Sequence, residues 1–108
     1  MKKLERLMCA VLRRHMTTGA RPVVPIAGVP LWQVFAAISS GRFWSDASPD
    51  ALTTREILDQ GQMMGLPLEL RHVDVIRALD AVWREMVAKG KTGGRLPELT
   101  PEIFDAMI

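Results

Sequence analysis

The chain has 108 residues, 48% of them hydrophobic and 24% charged, with a formal net charge of +2. That length fits one domain with one core, and the balance is too apolar for a disordered chain. A single cysteine, Cys9, excludes an internal disulfide and a cysteine-based zinc site, so the chain needs no oxidising compartment and is expected in the cytoplasm.

The absence of Tyr and the weight of Ala, Leu, Met, Glu, Lys, Arg and Gln favour helix throughout. The Lys-rich start resembles a secretion signal, but its apolar stretch Leu7 to Leu12 is short and Arg13-Arg14 interrupts it. No uncharged apolar run approaches the ~20 residues of a membrane span, so no membrane association is expected. Charge is uneven. Residues 1–21 hold six Lys or Arg against Glu5, a local +5, while the rest carries eight bases and eleven acids, hence −3. A basic arm on a mildly acidic body suits either a solvated helix face or an approach to nucleic acid or an acidic protein.

In chain order, Leu4, Leu7, Met8, Val11 and Leu12 recur at three- and four-residue steps and predict a basic amphipathic helix over residues 1–16. Thr17-Thr18-Gly19 ends it. Pro22, Pro25 and Pro30 then predict an extended connector over 17–30, with Pro30 suited to the first turn of a second helix that continues from Leu31 to Ser40. Leu31, Phe35 and Ile38 line one face of that helix beside Trp32, Gly41 stops it, and Arg42 to Asp50 reads as a loop.

Thr53 and Glu56 form a capping-box pattern at the start of a third helix, which carries Ile57 and Leu58, tolerates Gly61 and ends at Gly65. Pro67 is expected to open a fourth helix running to about Lys89, with Val73, Ile76, Leu79, Trp83 and Met86 inward. Arg71, Asp74, Arg77, Asp80, Arg84 and Glu85 fall on its opposite side, where Asp74 and Arg77 can pair. This helix is the expected spine of a helical core over 31–89. Residues 90–108 read as a glycine-rich linker and a short C-terminal helix from Ile103 to Ile108. The whole is an all-α bundle of four to five helices with a proline-rich connector between the first two.

Chemistry is hard to assemble from these residues. His15 and His72 lie on different helices with no acid or hydroxyl placed to work with them, and Cys9 reads as a small buried hydrophobe. Gly90-Lys91-Thr92 lacks the earlier glycine of a phosphate loop and follows a helix rather than a strand. The expectation is a non-enzymatic binding protein without catalytic, cofactor or metal residues. Its candidate contact residues are Trp32, Phe35, Phe43, Trp44, Met63, Met64, Trp83 and Met86; of these Trp32 and Phe35 read first as core, Phe43 and Trp44 fit an exposed anchor and a lid over the core equally well, and Met63, Met64 and Met86 read first as core gap-fillers.

Helices three and four, joined by Gly65, also suggest a helix-turn-helix, a small DNA-binding or regulatory alternative. The first turn of the second helix would offer Pro67, Leu68, Glu69 and Leu70, residues that suit packing better than a groove, so nucleic acid is not expected.

Two stretches carry a family resemblance. One is Pro22 to Arg42, where a proline-rich lead runs into Leu31-Trp32, Phe35, Ile38-Ser39 and Gly41-Arg42. The other comprises Glu56-Ile57, Gly65, Leu68, and Ile76-Arg77-Ala78-Leu79-Asp80 with Trp83. Together they resemble the small tail assembly chaperones of long-tailed, lambda-like bacteriophages and prophages. The pattern departs from the family at Gln60, where an aromatic is frequent, and at Leu70-Arg71-His72, where Pro-Trp-Glu is frequent. The resemblance implies a helical viral protein, without enzymatic activity, that keeps the tape measure protein soluble in the host cytoplasm and helps tail tube proteins assemble around it. A structural virion component is the remaining alternative.

Overall fold

The computed structural model describes residues 2–42, 44–45 and 48–89, and helix dominates them. Four α-helices form the body: α1 (Lys2–Thr18), α2 (Val29–Ser40), α3 (Thr54–Met63) and α4 (Leu70–Ala88). The expected C-terminal helix and the glycine linker lie outside the described residues, as does the Gly90-Lys91-Thr92 triplet.

The spine is α4, which packs against α1, α2 and α3. The expected face of Val73, Ile76, Leu79, Trp83 and Met86 is buried, and Val75 and Val82 widen it because neighbours flank the helix on more than one side. Opposite it, α1 contributes Met8, Leu12 and Met16, while α2 contributes Leu31, Trp32, Val34 and Phe35. Fully burying an aliphatic or aromatic side chain stabilises by roughly 1.5–3 kcal/mol, so this shared cluster is what makes the helices one body.

The connector corrects the expectation of simple extension. Val24 is fully buried, and a 3-10 turn at Ile26–Gly28 lies against Met8 before α2 starts at Val29, just ahead of the expected Pro30. Pro30 does occupy the first turn of α2. The segment expected as a loop from Arg42 to Asp50 contains a short antiparallel pairing of β1 (Trp44–Ser45) with β2 (Ser48–Pro49).

The capping box of α3 is present as expected. The Thr53 hydroxyl accepts from the Glu56 amide at 3.1 Å, and the Glu56 carboxylate accepts from the Thr53 amide at 3.1 Å. Past α3, the fourth helix does not begin at Pro67. The Gly61 carbonyl accepts from the Leu66 amide at 2.7 Å, Gly65 takes φ +74°, and the chain folds back over α3. Leu66 and Leu68 then turn inward around an exposed Pro67, an extended alternation that delays α4 until Leu70. Its first turn is capped from an unexpected quarter, with the Glu69 amide donating to His72 Nδ1 at 2.9 Å.

Gly61 is the hinge of this return. A Cβ there would lie 2.7 Å from Leu68 Cδ1 and 3.0 Å from the Leu66 carbonyl oxygen. Gly61→Ala should therefore lower thermal stability, although Ala alone would favour the helix by about 1 kcal/mol. A raised melting temperature would show that the return loop has room to move.

Candidate functional site

Two features stand out above the packed core, one apolar and exposed, the other charged and buried. The first is the corner between α3 and α4. Leu58, Gln62, Gly65, Leu66, Pro67 and Leu68 line a shallow groove of about 440 Å³. Met63 and Leu70 stand beside it at 82% and 71% exposure, with Met64 also open to solvent. The α3 helix ends at Met63, so its last turn presents the two methionines just where the chain reverses. Unbranched thioether side chains adapt to varied apolar partners.

Four other expected contact residues are corrected. Trp32 and Phe35 have no exposure, and Trp83 and Met86 are buried with them, so their apolar area is already committed to the core. Phe43 lies outside the described residues, and Trp44 belongs to β1. Of the expected contact set, the structure keeps the consecutive Met63 and Met64 at the surface. Leu70, which in the sequence suits packing, is also exposed as the first residue of the late-starting α4.

The second feature corrects the placement of Asp80 on the solvent side of α4. Asp80 and Arg42 form an ion pair at 2.5 Å, with side-chain exposures of 3% and 1%. The Arg42 guanidinium also donates to the Asp50 carbonyl at 2.9 Å and to Ser39 Oγ at 3.1 Å, and it sits 4.2 Å above the Trp83 ring. On the other carboxylate oxygen, Asp80 accepts from the Leu52 amide at 3.0 Å and from Arg84 Nε at 3.1 Å. Burying an ion is costly unless its partners are close and its hydrogen bonds are made. Here the end of α2, the 50–52 loop and α4 together meet most of those needs, while Arg42 Nε is buried without a hydrogen bond. The signal in the sequence was faint, since Arg42 and Asp80 lie 38 positions apart and each fits an exposed pattern locally.

The expected pairing of Asp74 with Arg77 is not among the ion pairs of the described residues. Instead Arg13 of α1 reaches Glu85 of α4 at 2.5 Å, and Lys89 approaches the same carboxylate at 3.5 Å. The Arg13 hydrogen bond and charge, helped by Lys89, hold Glu85 below the usual carboxylate range.

Cys9 is half-buried rather than fully enclosed. Burial, reinforced by nearby Glu5 and opposed by Arg13, pushes its thiol up, away from the thiolate needed for nucleophilic work. His15 Nδ1 lies 2.8 Å from the Ala20 carbonyl, and His72 caps α4. No three His, Cys, Asp or Glu side chains among the described residues converge on a metal-sized site, and no described helix is long and apolar enough to cross a membrane. No protein-family model matches the chain, and neither the curated proteins nor the solved structures yielded a match.

Two measurements follow from this geometry. Removing one partner of a buried pair costs about 3–5 kcal/mol, so Arg42→Met and Asp80→Asn should each lower unfolding free energy by about that amount. The double variant should lose less than the sum of the two, since Asn keeps an acceptor for the Leu52 amide while no unpaired buried ion remains, Arg84 being part-exposed; strict additivity would contradict the pairing. For Glu85, whose depressed pKa favours the fold above the carboxylate range and loses that contribution as pH falls, Arg13→Ala should move the NMR titration midpoint upward. An unchanged midpoint would show that the Arg13 contact does not hold in solution.

Proposed function

We propose that this protein is a non-enzymatic phage tail assembly chaperone, which binds the tape measure protein in the host cytoplasm and assists assembly of tail tube proteins around it. The reading is carried by the apolar stretch at the α3–α4 turn, where Leu58, Leu66 and Leu68 line a groove and Met63, Met64 and Leu70, close to it in the chain, are exposed. A partner with long apolar helices has to be met by apolar surface that the chaperone's own core does not use. The family resemblance adds support, because its two separate stretches supply the residues of one packed node: Ser39 and Arg42 from the first, Asp80 and Trp83 from the second.

The helix-turn-helix alternative gains little from the same geometry. α4 would have to be the reading helix, yet it buries eight residues, and its start presents Glu69 and Leu70 to solvent.

Co-expression with the tape measure protein encoded in the same genome tests the proposal. The two should co-purify and the tape measure protein should gain soluble yield. Met63→Ser combined with Leu70→Ser should abolish both effects while leaving the melting temperature within a few degrees, because neither side chain contributes to the core. Absence of co-purification and of any gain in yield would overturn the proposal.

A further inference from the structure

The outer flank of α1 is a second surface, separate from the α3–α4 corner. At about 100° per residue, Lys3, Leu7, Ala10 and Arg14 fall on one stripe of α1, with Arg6 beside it; all five are exposed. The connector returns along this flank. Val11, Arg14, His15, Arg21, Pro22 and Val23 together line a small cleft, and the 3-10 turn that follows rests near Met8. Leu7, at 46% exposure, lies on the cationic stripe of α1, Val23, at 56%, shares the cleft with Arg14 and Arg21, and Ile26, at 61%, is exposed on the turn that follows. Arg13, the base that does find a partner, is turned away towards Glu85. Lys3, Arg6, Arg14 and Arg21 have no ion-pair partner among the described residues.

We propose that this α1–connector face docks an acidic amphipathic segment of a protein partner, whose carboxylates meet Lys3, Arg6, Arg14 and Arg21 while one or two of its aliphatic side chains cover Leu7 and Val23. The chemistry of the face selects among anionic partners. A membrane-binding helix needs its broad apolar side for the lipid, whereas α1 has Met8, Leu12 and Met16 locked in the core. A duplex backbone offers phosphates but nothing apolar to cover the exposed aliphatics. An acidic helix or strand with interleaved aliphatic residues supplies both, and the +5 of residues 1–21 attracts it from a distance. This inference stands apart from the chaperone reading, since it uses none of the residues of the α3–α4 corner.

The test is fluorescence anisotropy of the full chain with a labelled, synthetic 15-residue peptide carrying Leu on one helical face and Glu on the other. Binding at 50 mM NaCl should weaken on the order of tenfold at 300 mM, as screening shortens the reach of surface charges. Arg6→Glu with Arg14→Glu should weaken it by a similar factor or more, and Leu7→Ser with Val23→Ser should weaken it several-fold. Each double variant should keep the wild-type circular dichroism and melting curve, and Met63→Ser with Leu70→Ser should bind like wild type. The proposal is overturned by absence of binding at low salt, or by indifference to the α1 variants. It is equally overturned if a Ser-for-Leu peptide binds as well, or if a 20-base-pair duplex or phosphatidylserine vesicles bind more tightly than the peptide.

Discussion

Placing Arg42 and Asp80 inside a small helical protein imposes a geometric condition on everything around them. A buried guanidinium and a buried carboxylate each forfeit several kcal/mol of hydration, and the loss is offset only when contact is close and the remaining polar atoms find partners. Asp80 is fixed by the axis of α4, so the end of α2 must deliver Arg42 to one side of it and the 50–52 loop must deliver the Leu52 amide to the other. The Trp83 ring, one turn further along α4, forms the surface on which the guanidinium rests. The end of α2 and the 50–52 loop, which have no regular hydrogen-bonded tie to α4, meet it at this node.

With that side of α4 committed, the other sides receive α1 and α3, and the large side chains are shared out between interior and surface. Met8, Met16 and Met86 fill the core, where flexible thioethers suit irregular space between helices. Met63 instead ends α3 and Met64 caps it, both left exposed where the chain turns back through Gly65. The same residue type thus does two jobs. The core closes over Trp32, Phe35 and Trp83, and the large apolar side chains left exposed among the described residues are aliphatic or thioether.

Much of this was legible from local chemistry. The three-and-four spacing from Val73 to Met86 identified the inward face of α4, Thr53 and Glu56 marked the start of α3, and Pro30 sat where a proline suits a helix. These signals are strong because their causes lie within one or two turns of chain. What escaped depended on distance. Asp80 follows Asp74 and Arg77 in a run that looks solvated, and only the approach of Arg42 from another element makes its burial tolerable. The start of α4 was misplaced because Pro67 is a good opening residue in isolation, whereas Leu66 and Leu68 are drawn onto α3 by Gly61. Among the candidate contact residues, Trp32, Phe35, Trp83 and Met86 were chosen by size and polarisability, properties that serve a core as well as an interface. Exposure, which decides between the two, is set by tertiary packing.

The dependence of the fold on the Arg42–Asp80 node is most directly tested by native-state hydrogen exchange at the Leu52 amide, which donates to Asp80 from a segment without regular secondary structure. If the node holds the loop as tightly as the helices, this amide opens only with the whole molecule, and its protection equals that of the Ile76 and Leu79 amides in the centre of α4. Protection no greater than that of exposed loop amides would mean that the loop parts from α4 on its own, and that the ion pair does not govern the fold.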